Sequence, residues 1–97
     1  MNRKLISTRY YLIYDRIVGK REIYSDRHSD NWLFKNGKWV PDTGFVIMDH
    51  LIGYDPSKPE DSPYRIGSTD VLMEMDEISE EEAMRLTEKE ERNEYRQ

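Results

Sequence analysis

Cysteine is absent from the 97 residues. Its absence excludes a disulfide framework and any thiolate zinc site, and leaves the chain without a redox commitment. A reducing cytosol suits such a chain. Glycine occurs five times and never in a cluster, so no phosphate-cradling loop can be drawn. The N-terminal stretch MNRKLISTRYY has basic residues but no long apolar run behind them, as a secretory signal requires. No segment approaches the roughly eighteen apolar residues of a membrane span. The expectation is a soluble, cytoplasmic chain that meets no membrane. Apolar residues make up only 36% and charged residues another 36%, which implies a thin core under a heavily ionic surface. An aromatic content of 11% nonetheless argues for a folded chain, and the length suits one domain.

The net charge of −5 is unevenly spread. Residues 1–50 hold nine Lys/Arg against six Asp/Glu, or +3, and residues 51–97 hold six against fourteen, or −8. An overall basic footprint for nucleic acid is missing. An acidic C-terminal half suits solvation, or a partner that is itself basic.

Several elements are legible. Ser7–Ile17 reads as a strand apolar on both faces, with Tyr10, Leu12 and Tyr14 on one and Tyr11 and Ile13 on the other. Gly19-Lys20 offers a turn, and Arg21–Ser25 a returning strand. The polar run SDRHSDN, residues 25–31, reads as a loop. In WLFKNGKWV, residues 32–40, Asn36-Gly37 is a strong hairpin signal, because both central positions of a type I′ turn need positive φ. Its register places Trp32, Phe34 and Trp39 on one face and Leu33 and Val40 on the other, and Pro41 ends the pairing. Residues 43–53 suit a short helix capped by Asp42 or Thr43 and stopped by Gly53, although Phe45-Val46-Ile47 would also fit a strand. Residues 54–63, with three of the four prolines, read as an exposed loop open to proteases. DVLMEMDEI, residues 70–78, alternates as a strand. Ser79-Glu80-Glu81-Glu82 is a capping box with an Ile78–Ala83 staple, and it opens a C-terminal helix. Ala83 and Leu86 share one face of that helix, which docks to about Thr87. Arg85, Lys89, Arg92 and Arg96 form a basic ridge opposite glutamates, with Glu81–Arg85 and Glu88–Arg92 in the favourable i,i+4 order.

Reactive chemistry is sparse. The two histidines, His28 and His50, stand in no metal-ligand spacing, so no metal and no cofactor is expected. No catalytic serine motif is present. Two histidines could act as acid and base in a small ribonuclease, but the acidity of the chain would repel RNA. Trp32, Phe34 and Trp39 are the largest apolar side chains available and are expected first in the core. The alternative is an aromatic surface for a partner.

The strand YYLIYD, the hairpin WLFKNGKW and the terminal helix ISEEEA together are similar to the layout of small bacterial and phage proteins. In size and charge the chain resembles phage and mobile-element accessory proteins, including anti-CRISPR inhibitors. That resemblance implies a non-enzymatic inhibitor that occupies a host surface, and it assigns no residue. The expected architecture is α+β: a mostly antiparallel sheet of about five strands, a short middle helix and a C-terminal helix. The expected function is protein binding, with Glu74, Asp76, Glu77, Glu80 and Glu81 facing a basic surface, such as the nucleic-acid channel of a defence nuclease. Direct nucleic-acid binding is not expected. The alternatives are the histidine-dependent ribonuclease, or self-association into a homodimer through the sorted C-terminal helix.

Overall fold

The computed structural model describes residues 3–55, 57–58, 61–62 and 65–94, with side chains as far as residue 89. Strands β1 (Leu5–Ile13) and β2 (Ile17–Tyr24) form the first hairpin. The reversal lies at Tyr14-Asp15 and not at Gly19-Lys20. Both residues have positive φ, 54° and 56°, as a type I′ turn demands, and the Arg16 amide donates to the Ile13 carbonyl at 3.1 Å. A tyrosine rarely adopts this conformation. Here the Tyr14 amide is fixed by donating to the Glu74 carbonyl at 2.8 Å.

The second hairpin joins β3 (Ser29–Lys35) to β4 (Lys38–Pro41). Asn36 and Gly37 carry the positive φ values, and the register pairs Lys35 with Lys38, Phe34 with Trp39 and Leu33 with Val40. The loop expected over residues 25–31 is shorter, because Ser29–Asn31 pair with Arg21–Ile23 and belong to β3.

From β4 the chain crosses the sheet through α1 (Val46–Ile52) and the single turn α2 (Thr69–Leu72) to β5 (Met75–Ile78) on the far side of β1, then enters α3 (Glu80–Glu94). The strand order is β4-β3-β2-β1-β5, and every pairing is antiparallel. The fold is therefore α+β. The strand expected over residues 70–78 is corrected in its first half, because Leu72 and Met73 amides donate to Ser68 and Thr69 carbonyls in a helical turn. That turn packs against Gly53, whose φ is 67° and whose missing Cβ would lie 3.0 Å from Leu72 Cγ. Gly53 thus both ends α1 and admits α2. The Asp42 cap acts from further back than expected: its carboxylate accepts from the Val46 and Ile47 amides at 3.0 and 2.9 Å. Phe45, at the cap position, has φ 57° and is 66% exposed. Within the loop expected over residues 54–63, four residues fall outside what is described; the stretch is bridged where the Asp55 amide donates to the Arg65 carbonyl at 2.7 Å. No helix among the described residues is long and apolar enough to cross a membrane.

The sheet is covered on both faces, as the dense β1 sequence requires. On one face Tyr11, Ile13 and Leu33 meet Ile47 of α1, with Ile17, Val40, Leu51 and Met75 around them. On the other, Val18 and Phe34 meet Ala83 of α3, with Tyr10, Leu12, Trp39, Ile78 and Leu86. Each fully buried aliphatic or aromatic side chain contributes about 1.5–3 kcal/mol, so two small clusters carry the fold. α3 docks through Ala83, Leu86 and Thr87. Its cap is the Ser79 hydroxyl, which accepts from the Glu82 amide at 3.1 Å. The Glu82 carboxylate takes Arg85 (Nε at 3.1 Å) instead of Glu81 doing so, because i,i+3 neighbours also meet on a helix face.

Gly19, opposite Leu33 and Tyr11 in β2, lies under Ile47 of α1. A Cβ there would lie 3.0 Å from Ile47 Cδ1, and Ile47 is completely buried and cannot retreat. Gly19→Ala should therefore cost about 1–3 kcal/mol and Gly19→Val more. Urea denaturation tests this, and an unchanged midpoint for both variants would refute the close approach.

Burial raises the pKa of Tyr10, Tyr11 and Tyr14 above the ordinary 10.0. The charges of Glu80, Glu77 and Glu74 respectively push in the same direction. Each hydroxyl ionises later in the folded chain than in the unfolded one. Stability is therefore fully held below pH 10 and falls as pH rises through the raised folded values. Tyr10→Phe and Tyr11→Phe should each lessen the drop in urea midpoint between pH 9 and pH 11.

Candidate functional site

Two arrangements bring chemistry-bearing residues together. The first is the junction of β5 and α3. Strand alternation sends Glu77 and Asp76 to opposite faces of the sheet edge, and the helix start adds Glu80 and Glu81 one step further. Asp76, Glu80 and Glu81 are exposed and form no ion pair among the described residues. Glu77 is taken by Arg9 of β1, whose Nη1 lies 3.0 Å from its Oε1. Both side chains remain more than half exposed, so this pair contributes little to stability. Glu74 faces inward toward α1. The five carboxylates therefore divide into three open to solvent, one paired on the surface and one half-exposed and bound to buried His50.

That interior contact is the second arrangement. His50, on the sheet side of α1, is only 6% exposed. Its Nδ1 lies 2.7 Å from the Val46 carbonyl and can only donate there. Its Nε2 lies 3.1 Å from Glu74 Oε2. The Tyr14 ring meets the His50 ring edge-on, with centroids 5.2 Å apart. Lys35, Asp49, Tyr54 and Asp55 complete a cavity of about 390 Å³ beside them.

This arrangement restricts what His50 can do. Both ring nitrogens are engaged within the fold, so neither is free to exchange a proton with a substrate. His28 lies in the turn after β2, with its side chain 77% exposed and Nδ1 3.1 Å from Asp26. The turn that bears Tyr14, and with it His50, lies at the other end of β2. Eight residues of strand separate the two ends by roughly 25 Å. The structure therefore does not bring the two histidines together. Among the described residues no three His, Asp or Glu side chains gather as a metal ion requires.

The aromatic residues also divide. Phe34 is buried at 5% exposure, edge-to-face with Trp39 at 5.2 Å, and offers no surface. Trp39 and Trp32 are half-buried. The Lys20 ammonium lies 4.4 Å from the Trp39 ring, and Lys20 stands opposite Trp32 across the β2–β3 ladder. Positive charge on the aromatic face thus comes from Lys20, a residue the expected Gly19-Lys20 turn had removed from the sheet. Lys35 and Lys38 belong to the other face. On α3, Arg85 is held by Glu82 and Lys89 is exposed. Arg92 and Arg96 lie outside the described side chains, as does the expected Glu88–Arg92 pair.

The pairing of His50 with Glu74 has no signal in the sequence, because 24 positions separate them. The neutralisation of Glu77 by Arg9, 68 positions away, was legible only through the β1–β5 register. Comparison with protein-family models, curated proteins and solved structures finds no match.

His50 and Glu74 should show energetic coupling. A double-mutant cycle with His50→Gln and Glu74→Ala is expected to give about 1 kcal/mol, because Glu74→Ala leaves the buried His50 Nε2 without its partner. Additive effects within error would mean that the contact carries no stability.

Proposed function

We propose that the chain is a non-enzymatic binding module that presents the exposed carboxylates of the β5–α3 junction to a basic protein surface. The observation that supports this most directly is the free state of Asp76, Glu80 and Glu81: three acids on adjoining elements, all exposed and without an ion pair among the described residues. They sit in the half of the chain that carries −8. Grouped charge of one sign accelerates encounter with an oppositely charged surface and orients it. Glu77 contributes less because Arg9 offsets it, and Glu74 serves the fold through His50. The engagement of both His50 ring nitrogens weighs against the ribonuclease alternative. The finer reading is that the basic surface is the nucleic-acid-binding site of a host defence protein. It rests on resemblance in size and charge to phage and mobile-element inhibitors.

Association through exposed carboxylates is screened by salt, with a Debye length of about 10 Å at 0.1 M and about 3 Å at 1 M. A partner captured from source cells at about 0.1 M salt should be released well before 1 M. It should not be captured by the Asp76→Lys/Glu80→Lys/Glu81→Lys variant. A partner held equally by the variant, or retained at 1 M salt, would exclude this surface.

A further inference from the structure

We infer that the cavity between α1 and the end of the sheet that carries Ile17 and Lys35 binds a free amino acid with an apolar side chain. It measures about 390 Å³, within the range of roughly 300–1,000 Å³ for small-molecule sites. Ile17 and Leu33 line it from the sheet, Val46 from α1 and Val71 from α2. All four are apolar, and together they offer a surface to one aliphatic or aromatic side chain.

The charged groups of the wall fall into two kinds. Glu74 is bound by His50 at 3.1 Å and by the Tyr14 hydroxyl. Asp55 accepts from the Ser57 hydroxyl at 2.6 Å and from its amide at 3.0 Å. Lys35 and Asp49 differ from these, because among the described residues neither side chain has a hydrogen bond or an ion pair. They line the same cavity without reaching each other, so its wall holds one open cation and one open anion with space between them. Strand alternation turns Lys35 to the face of Leu33. The β2–β3 register, continued by two residues from Gly19 and Leu33, sets it beside Ile17. Asp49 lies on the flank of α1 that carries Val46, three residues earlier.

The two open charges select the ligand. Asp49 is half-buried, and a carboxylate withdrawn from water without a partner favours an incoming ammonium. Lys38 stands directly opposite Lys35 across the second hairpin. Two like charges thus crowd one end of the cavity, and a carboxylate there offsets their repulsion. A free amino acid carries both groups on one carbon and projects its side chain from the same atom. With its ammonium at Asp49 and its carboxylate at Lys35, its side chain is left to Ile17, Leu33, Val46 and Val71. An amine or a carboxylic acid alone meets only one of the two charges. None of Asp76, Glu80 and Glu81 lines this cavity, so the site is independent of the proposed partner surface.

Titration of the isotope-labelled full chain with L-leucine and L-phenylalanine, followed by amide chemical shifts, tests the site. Saturable shifts are expected at Ile17, Leu33, Val46 and Val71, with a Kd of about 1 mM or tighter. Lys35→Ala and Asp49→Asn should each raise Kd about tenfold or more, since each removes one charge-assisted hydrogen bond. Isoamylamine and isocaproate, which are leucine without its carboxylate and without its ammonium, should bind more weakly by a similar factor. Lys35 is exposed and asparagine matches aspartate in shape, so far-UV circular dichroism should be unchanged in both variants. The Asp76→Lys/Glu80→Lys/Glu81→Lys variant should bind leucine as the wild type does, even where it loses partner capture. No saturable shift with either amino acid up to about 10 mM would overturn the inference. So would an affinity unchanged by Lys35→Ala or by Asp49→Asn, or either analogue bound as tightly as leucine.

Discussion

Pairing and packing converge on β1. It is flanked by β2 and β5, and it sends Tyr11 and Ile13 into the cluster under α1 and Tyr10 and Leu12 toward the cluster under α3. With so few apolar residues, the strands of a sheet buried on both faces must serve both cores, as β2 (Ile17, Val18) and β3 (Leu33, Phe34) also do. The two helices complete this arrangement from different parts of the chain. α1 inserts Ile47 where Gly19 leaves room for it, and α3 inserts Ala83 from the capped turn at Ser79. His50 and Glu74 link the two ends of the crossing, since one belongs to α1 and the other precedes β5.

Elements with a local cause were legible in the sequence. Asn36-Gly37 determines its own turn and so the register of the second hairpin, and Ser79 with Glu82 marks the start of α3. Gly53 marked the end of α1 for the same reason, since few other residues adopt φ near 67° at low cost. The first turn was misread because glycine has two uses. Gly19 lacks a side chain to admit Ile47, while the reversal falls to Tyr14 and Asp15, and the Tyr14 amide is held by the Glu74 carbonyl, a contact no local pattern announces. The α2 turn was misread because alternation at Val71–Met75 resembles a strand, whereas Gly53 offers that segment a close packing partner. Long-range pairings, Arg9 with Glu77 and Glu74 with His50, divided a set of five acids that looked uniform in sequence.

That division separates structure from surface. Glu74 is half-exposed but bound to His50, and Glu77 is balanced by Arg9. Asp76, Glu80 and Glu81 keep their fields in solvent. The aromatic residues follow the same logic. Phe34 anchors the α3 face, and Trp39 shields it while meeting Lys20. Tryptophan commonly takes such a position at the rim of a small core, with an apolar body and a polar neighbour.

The path of the chain from one sheet edge to the other also bears on its synthesis. The four strands β1–β4 leave the ribosome first, and both of their faces are apolar. The face under α1 can close once residues 46–52 have emerged, but the other is not sealed until α3, beginning at residue 80, follows. Val18 and Phe34 are thus uncovered for the time needed to translate the intervening stretch of about forty residues. At about 5–20 residues per second, that interval is a few seconds. Over that interval a nascent four-stranded sheet with one wet hydrophobic face is a substrate for chaperones, and its protection waits on a helix made well after the strands it covers.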